Sequence, residues 1–251
     1  MTIETEQDLL HLKHIGGIVA TILQEMIART EPGMTTSELD AIGKALFEKY
    51  EAQSAPLLSY NFPGYTCISV NEEAAHGIPG DRVIRPGDIV NIDVSGEKNG
   101  YFADTGGTFI VPPSTPQKDR LLHATKLALR NAAAKARAGE NLNVIGKEIQ
   151  KVAKDKGFKI IRNLCSHGVG RSLHEDPKEI LGYYDPREER RLHKGLVITI
   201  EPFLSTKSKH VTEARDGWTL VGAAGNLSAQ FEHTMVITNG QPILVTLPHS
   251  A

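Results

Sequence analysis

The chain has 251 residues, 40% of them hydrophobic and 23% charged, and a formal net charge of -2. That length supports one large domain or two small ones with a sizeable core, and so small a charge argues against nucleic acid or an anionic membrane held by bulk electrostatics. Cys67 and Cys165 are the only cysteines and lack C-x-x-C spacing, which speaks against a disulfide framework or a zinc knuckle.

The N-terminal MTIETEQDLL is acidic and polar where a signal peptide needs basic residues and an apolar run, and no stretch approaches eighteen consecutive apolar residues. The expectation is a cytoplasmic protein with no membrane partner. Helical periodicity covers residues 6 to 30 through Leu9, Ile15, Ile18, Ile22 and Ile27, and the capping-box pair Thr35 and Glu38 opens a second helix to about Ala52. From Tyr60 to Val111 the chain reads as strands and turns, with CISV, VNIDV and GTFIV as short β-type runs. Ser114 and Gln117 suggest another cap, followed by helix over 117 to 138 and a further helix from Asn141 to Gly157. Beyond Ile160 the runs LVITI, TLVGA, EHTMVIT and PILVTL predict strands, and the charged stretch from Tyr183 to Leu192 predicts a surface loop. No linker rich in Pro, Gly or Ser intervenes, so residues 1 to 251 read as a single domain.

The order helix, helix, strands occurs twice. Ala41-Ile42-Gly43-Lys44 resembles Val144-Ile145-Gly146-Lys147, and GDIVNID ending at Asp93 resembles GLVITIE ending at Glu201, at offsets of 103 and 108. Either match alone is as well explained by chance. Two in the same order favour a duplicated αα-β unit, roughly 30–111 and 115–246, which makes Asp93 and Glu201 equivalent. The fold class is α+β.

In NIDVSGEKNGYFADTGGTF, residues 91 to 109, Asn99-Gly100 is a favoured pair for a two-residue type I′ turn. In that register 98 pairs with 101, 95 with 104 and 93 with 106, which puts Asp93 and Asp104 on one face, diagonally related and roughly 7–8 Å apart at the backbone. Carboxylates so close on a half-buried face repel unless one takes a proton or a cation sits between them. On the hairpin alone, an aspartate that merely faces water is an equally good reading, and a three-residue turn would send the two to opposite faces. The second half adds Glu201 at the end of the apolar run LVITIEP and Glu232 in QFEHTMVIT; His167 and His174 stand in SHGVGRSLHEDP and His76 in AHGIPG. An acid at the end of an apolar run is costly unless paired or metal-bound. Four carboxylates with imidazole and no thiolate suit hard or borderline divalent ions such as Mn, Fe, Co or Zn, and the donor count suits two ions better than one.

HGIP at 76–79, NIDV with ADT eleven residues later, SHGVGRSLHEDP, TIEP and QFEHT stand in the order, and with roughly the spacings, of the type I methionine aminopeptidases; from about residue 8 to 245 the chain resembles the compact bacterial form of that family. The resemblance implies the pita-bread fold, two pseudo-symmetric αα-β halves with a curved antiparallel sheet around a central dimetal site. It implies two divalent metal ions held by Asp93, Asp104, His167, Glu201 and Glu232, with Asp104 and Glu232 bridging, Asp93 completing one ion, and His167 with Glu201 the other. Removal of the N-terminal methionine of new polypeptides by a metal-bridging water or hydroxide would follow, with Glu201 as general base, His174 donating to the oxyanion and His76 contacting the scissile nitrogen. Tyr60, Phe62, Cys67 and Trp218 map onto the methionine pocket, where aromatic rings suit a thioether; each alone reads equally as core packing. Leu173, Ala75 and Gly64-Tyr65 depart from the family's usual residues without removing a ligand. A monomer suffices for such a site. Two alternatives share the fold: an aminopeptidase P or prolidase relative cleaving Xaa-Pro bonds, and a non-catalytic binding protein.

Overall fold

The computed structural model describes residues 1–248. Helix α1 (Glu6–Ala28) is opened by a capping box in which Thr5 Oγ1 accepts from the Asp8 N–H while the Asp8 carboxylate accepts from the Thr5 N–H. The same device, from Thr35 and Glu38, opens α2 (Thr36–Lys49) as the sequence predicts. That helix stops short of Ala52 because Glu51 adopts a φ of 50°, outside the helical region. Strand β1 (Gln53–Ser54) leads into a helix the periodicity does not reveal, α3 (Ala55–Tyr60), whose short span is set by the N-cap Ser54, a proline in its first turn and left-handed Asn61 at its end.

Strands β2 (Cys67–Val70), β3 (Glu73–Ala75), β4 (Ile89–Lys98) and β5 (Tyr101–Ile110) complete the first half. The Asn99-Gly100 turn has φ of 57° and 78°, and the β4–β5 ladder runs Lys98 to Tyr101, Ser95 to Asp104 and Asp93 to Gly106. This is the register expected of a two-residue type I′ turn. Strand β4 takes β1 and β2 along its other edge, with Cys67 opposite Asp93.

The second half repeats the order. Helix α4 (Pro116–Lys135) is capped by Thr115 and not by Ser114, whose hydroxyl donates to Asp119 instead; it also ends earlier than the 138 expected. Helix α5 (Asn143–Lys156) ends at Gly157, which takes the left-handed conformation. Then come β6 (Lys159–Ile160), β7 (Cys165–Gly168), β8 (Glu175–Leu181), β9 (Val197–Ile200), β10 (Phe203–Ser205), β11 (Thr212–Glu213), β12 (Leu220–Val221), β13 (Ser228–Gln230), β14 (His233–Val236) and β15 (Ile243–Leu244). Five of them form an antiparallel sheet in the order β15-β14-β9-β7-β8, and two three-stranded ladders, β13-β10-β6 and β11-β12-β3, flank it. Residues 183 to 192 form the expected loop, held by ion pairs of Arg187 with Asp185 and Arg190 with Glu188.

Helices cover the outside because their apolar stripes match the outer faces of the strands. On α1 the fully buried Leu12, Ile15, Val19, Ile22 and Met26 recur at helical spacing, each such burial contributing about 1.5–3 kcal/mol before chain entropy is counted. They meet β4 where Gly96 lacks a side chain: a Cβ there would lie 2.8 Å from Val19 and 2.9 Å from Phe47. A second apolar cluster gathers α4, α5 and the five-stranded sheet around Ala128, Ile145, Ile149 and Ile198. The Met1 ammonium pairs with Glu175 at the start of β8. No helix among the described residues is long and apolar enough to cross a membrane.

Candidate active site

The two halves meet where β5 runs beside β13 and β14, with Asp104 bonded to Thr234 and Thr108 to Gln230. Asp93 and Ser95 share the inner face of β4, and Asp104 lies opposite Ser95 on β5. Ser95 Oγ donates to Asp104 Oδ1 at 2.8 Å and stands 3.5 Å from Asp93 Oδ1, so one hydroxyl spans both carboxylates. In β7, His167 Nδ1 is 2.9 Å from the Gly168 carbonyl oxygen, which can only accept; Nδ1 therefore carries the proton and Nε2 keeps its lone pair. Nε2 lies 3.4 Å from Glu201 Oε1 and 3.7 Å from Asp104 Oδ2. Those gaps are long for hydrogen bonds and close to the roughly 3.4 Å that separates tetrahedral ligands on one ion.

Glu201 stands one residue past β9, its N–H donating to Ser166 Oγ and its Oε1 accepting from Thr199 Oγ1, each at 2.9 Å. Glu232 stands one residue before β14, its N–H donating to the Gly106 carbonyl and its Oε2 accepting from Gln230 Nε2. The Gln230 amide fits only because residue 106 is glycine, since a Cβ there would lie 2.3 Å from Gln230 Oε1. Asn91 Nδ2 donates to that same oxygen at 2.9 Å, fixing the flip of the amide. The remaining oxygen, Glu232 Oε1, is the one buried side-chain polar atom without a hydrogen-bond partner among the described residues.

Burial, and after it the charge of neighbouring carboxylates, holds Asp93, Glu201 and Glu232 well above the usual carboxylate range. Burial drives His167 down to about 4; His174, whose ring centroid is 4.1 Å from that of His167, is lowered by burial and by that neighbour to about 4. The cluster thus gathers carboxylates that resist ionising together. Donor atoms of Asp104, His167 and Glu232 lie within 4.8 Å of one another. Oxygen donors with one imidazole, a buried orphaned oxygen and carboxylates that cannot all ionise unaided fit a divalent cation.

A cavity of ≈ 420 Å³ opens onto this cluster. His76, Asp93, Asp104, His167, His174 and Glu201 line it, while Glu232, 1% exposed, lies behind them. Tyr60, Phe62, Cys67 and Trp218 line the same cavity, with Phe62 edge-on to Trp218 at 5.2 Å. Burial, then Asp93, pushes the Cys67 thiol well up, so it serves as apolar wall and not as nucleophile. The Tyr60 hydroxyl is 2.8 Å from His174 Nδ1. His76 takes a left-handed φ of 55°, and Gly77 after it packs where a Cβ would stand 2.2 Å from the Ile68 carbonyl oxygen. Leu173, 3% exposed, also faces the cavity, whereas Tyr65 packs on the first-half core and Gly64 against Pro79.

Sequence reasoning passed over Gln230, Thr199 and Lys178, and used Ser95 only to set the register. For Gln230 and Thr199 a signal was present: each precedes a candidate ligand by two residues, the same-face spacing of extended chain. Asn91 precedes Asp93 in the same way.

The model of Metallopeptidase family M24 matches residues 11–239. The chain belongs to that family. It is 47% identical to a methionine aminopeptidase of Staphylococcus epidermidis over 98% of each chain. Among solved structures it superposes on a methionine aminopeptidase of Thermotoga maritima with a TM-score of 0.92 at 34% identity, covering 98% of this chain and 99% of that one. A prolidase of Pyrococcus furiosus shares the fold with a TM-score of 0.78 at 21% identity, and the match spans 99% of this chain but 66% of the prolidase. The pita-bread fold expected from the motifs is therefore the fold of this M24 member.

Proposed function

We infer that this protein is a metal-dependent aminopeptidase that removes the N-terminal methionine from new polypeptides with a small second residue. Family membership and the full-length likeness to methionine aminopeptidases support the activity. The observation that carries the metal site is the orphaned Glu232 Oε1 in a buried group of four carboxylates beside an imidazole with a free Nε2. Asp93, Asp104, His167, Glu201 and Glu232 would hold two ions drawn from Co, Mn, Fe or Zn. Divalent ions there supply an activated water and a polarised carbonyl.

The side chains then divide the remaining work. Glu201, with Oε1 fixed by Thr199, accepts the proton released by the nucleophile and passes it to the leaving amine. His174, steadied through Nδ1 by the Tyr60 hydroxyl, donates its other nitrogen to the developing oxyanion, and His76 holds the scissile nitrogen. Tyr60, Phe62, Cys67 and Trp218 receive the thioether and exclude water. On this reading a monomer suffices as the working unit, with residues 1–251 as one catalytic domain. The pattern of two helices then strands in each half supports an internal duplication near 30–111 and 115–246. A substrate at the start of new polypeptides supports the cytoplasm as its place of action.

The test is a peptide panel after metal removal and reconstitution with one ion at a time. Met-Ala-Ser should be cleaved only with metal, and Ala-Pro and other Xaa-Pro peptides should not; cleavage of Xaa-Pro in preference would make the enzyme a prolidase relative, and metal loading with no cleavage of any peptide would favour a binding protein.

A further inference from the structure

One charged side chain of the cavity has no part in the chemistry above. Lys178 lines the cavity, and apart from the imidazoles it is the one basic side chain that does. It is exposed, and among the described residues its ammonium has neither a carboxylate partner nor a hydrogen bond. Its acidic neighbours turn elsewhere: Glu179 borders a separate surface depression with Arg187 and Arg190, and Asp176 another beside Arg190 and Arg191.

The sheet explains how a lysine reaches this position. Strand β8 is the edge strand next to β7, which carries His167. Ser166 pairs with Ile180 and Gly168 with Glu175, so β8 advances from residue 180 to 175 while β7 advances only from 166 to 168. The surplus chain bulges opposite His167, and Lys178 sits in that bulge. Across the sheet the order is Glu232 beside β14, Glu201 beside β9, His167 on β7 and Lys178 on β8. Strands are roughly 4.8 Å apart and an extended peptide advances roughly 3.3 Å per residue. A substrate that runs from a scissile bond at His167 and Glu201 toward β8 would therefore reach the lysine within two or three residues of that bond.

We propose that Lys178 is a specificity-determining residue, pairing with a carboxylate carried two or three residues after the methionine. The assignment rests on the aminopeptidase reading and adds a preference among its substrates. The carboxylate is either an Asp or Glu side chain or the C-terminal carboxylate of a short peptide.

The experiment uses the metal-reconstituted full chain with Met-Ala-Xaa-Ser-amide, Xaa being Glu, Gln or Lys, and with Met-Ala-Ser as acid and as amide. For the native enzyme kcat/KM should favour Glu over Lys on the order of three- to five-fold, the range of one exposed ion pair, mainly through KM and fading with added salt. Lys178→Gln should level the series and Lys178→Glu should invert it. The free acid exceeding the amide identifies the terminal carboxylate as a ligand; equality of the two with a Glu preference retained identifies the side chain. Equal values for Glu, Gln and Lys together with equal values for acid and amide in the native enzyme overturn the proposal, as does a Glu or free-acid preference that survives Lys178→Glu. Failure to cleave every peptide overturns the aminopeptidase reading and the subsite with it.

Discussion

In the first half Asp93 and Asp104 lie well inside the ten-residue strands β4 and β5, whereas in the second half Glu201 and Glu232 stand one residue outside β9 and β14. The hairpin sets the face of its acids by ladder register, with one hydroxyl between them: once Asn99 and Gly100 close the turn, Ser95 must face Asp104 and Asp93 must share that face. The sheet holds its acids differently. Ile200 and His233 are the last paired residues, and beyond them Glu201 is fixed by Ser166 and Thr199, while Glu232 is fixed by Gln230 and by the Gly106 carbonyl of the other half. A ladder can set direction in steps of one residue. Adjusting an oxygen by fractions of an ångström around an ion takes side-chain hydrogen bonds, and the second half uses them.

The contrast can be broken most severely at the acid that both halves touch. Asp104 bonds to Ser95 within its hairpin, and its backbone exchanges bonds with Thr234 Oγ1 of the sheet. Asp104→Asn should lower metal content and turnover together by more than the ~100-fold expected from losing an outer partner, read by metal analysis and initial rates. His174→Ala should reduce kcat about 100-fold with metal content retained; loss of metal would make it a ligand. Gln230→Ala should weaken metal affinity about 10- to 100-fold by freeing the Glu232 carboxylate, whereas the hairpin acids, which depend on register, offer no comparable single amide to delete.

Protonation gives a further comparison. Asp93, Glu201 and Glu232 have folded pKa values raised by burial, so near neutrality the metal-free site retains protons that a cation must displace, while His167, lowered to about 4, is already deprotonated and gives up none. Metal binding near pH 7 should therefore release protons, read by calorimetry in buffers of different ionisation enthalpy; no release would mean the carboxylates are ionised without metal. The smallest effect falls on the turn. Gly100 has a φ of 78°, and Gly100→Ala should cost about 1–2 kcal/mol, lowering Tm with metal affinity nearly unchanged.

The same contrast explains what the sequence made legible. An Asn-Gly turn, alternation, helical periodicity and the capping box at Thr35 are local rules, so the hairpin register and the first two helices are legible in the sequence, while the box at Thr5 emerges only in the structure. Glu232 could be suspected as a buried acid, but not the orphaned Oε1, because that depends on Gln230, Asn91 and the missing Cβ of Gly106 meeting across the two halves. Helix α3 was hidden by its brevity, having too few residues to display a period. The cap of α4 moved by one residue, from Ser114 to Thr115, because two hydroxyls in succession compete for one role. Lys178 carries no sequence signal at all, since its place in the cavity is made by the β8 bulge.

The account depends above all on both halves binding ions jointly. Titrating metal-free protein with Mn²⁺ or Co²⁺ while counting bound ions and following Met-Ala-Ser cleavage tests this directly. Two ions per chain are predicted, with no cleavage before metal is added and Asp104→Asn abolishing both binding and activity; cleavage by metal-free protein, or full activity with Asp104→Asn, would contradict it.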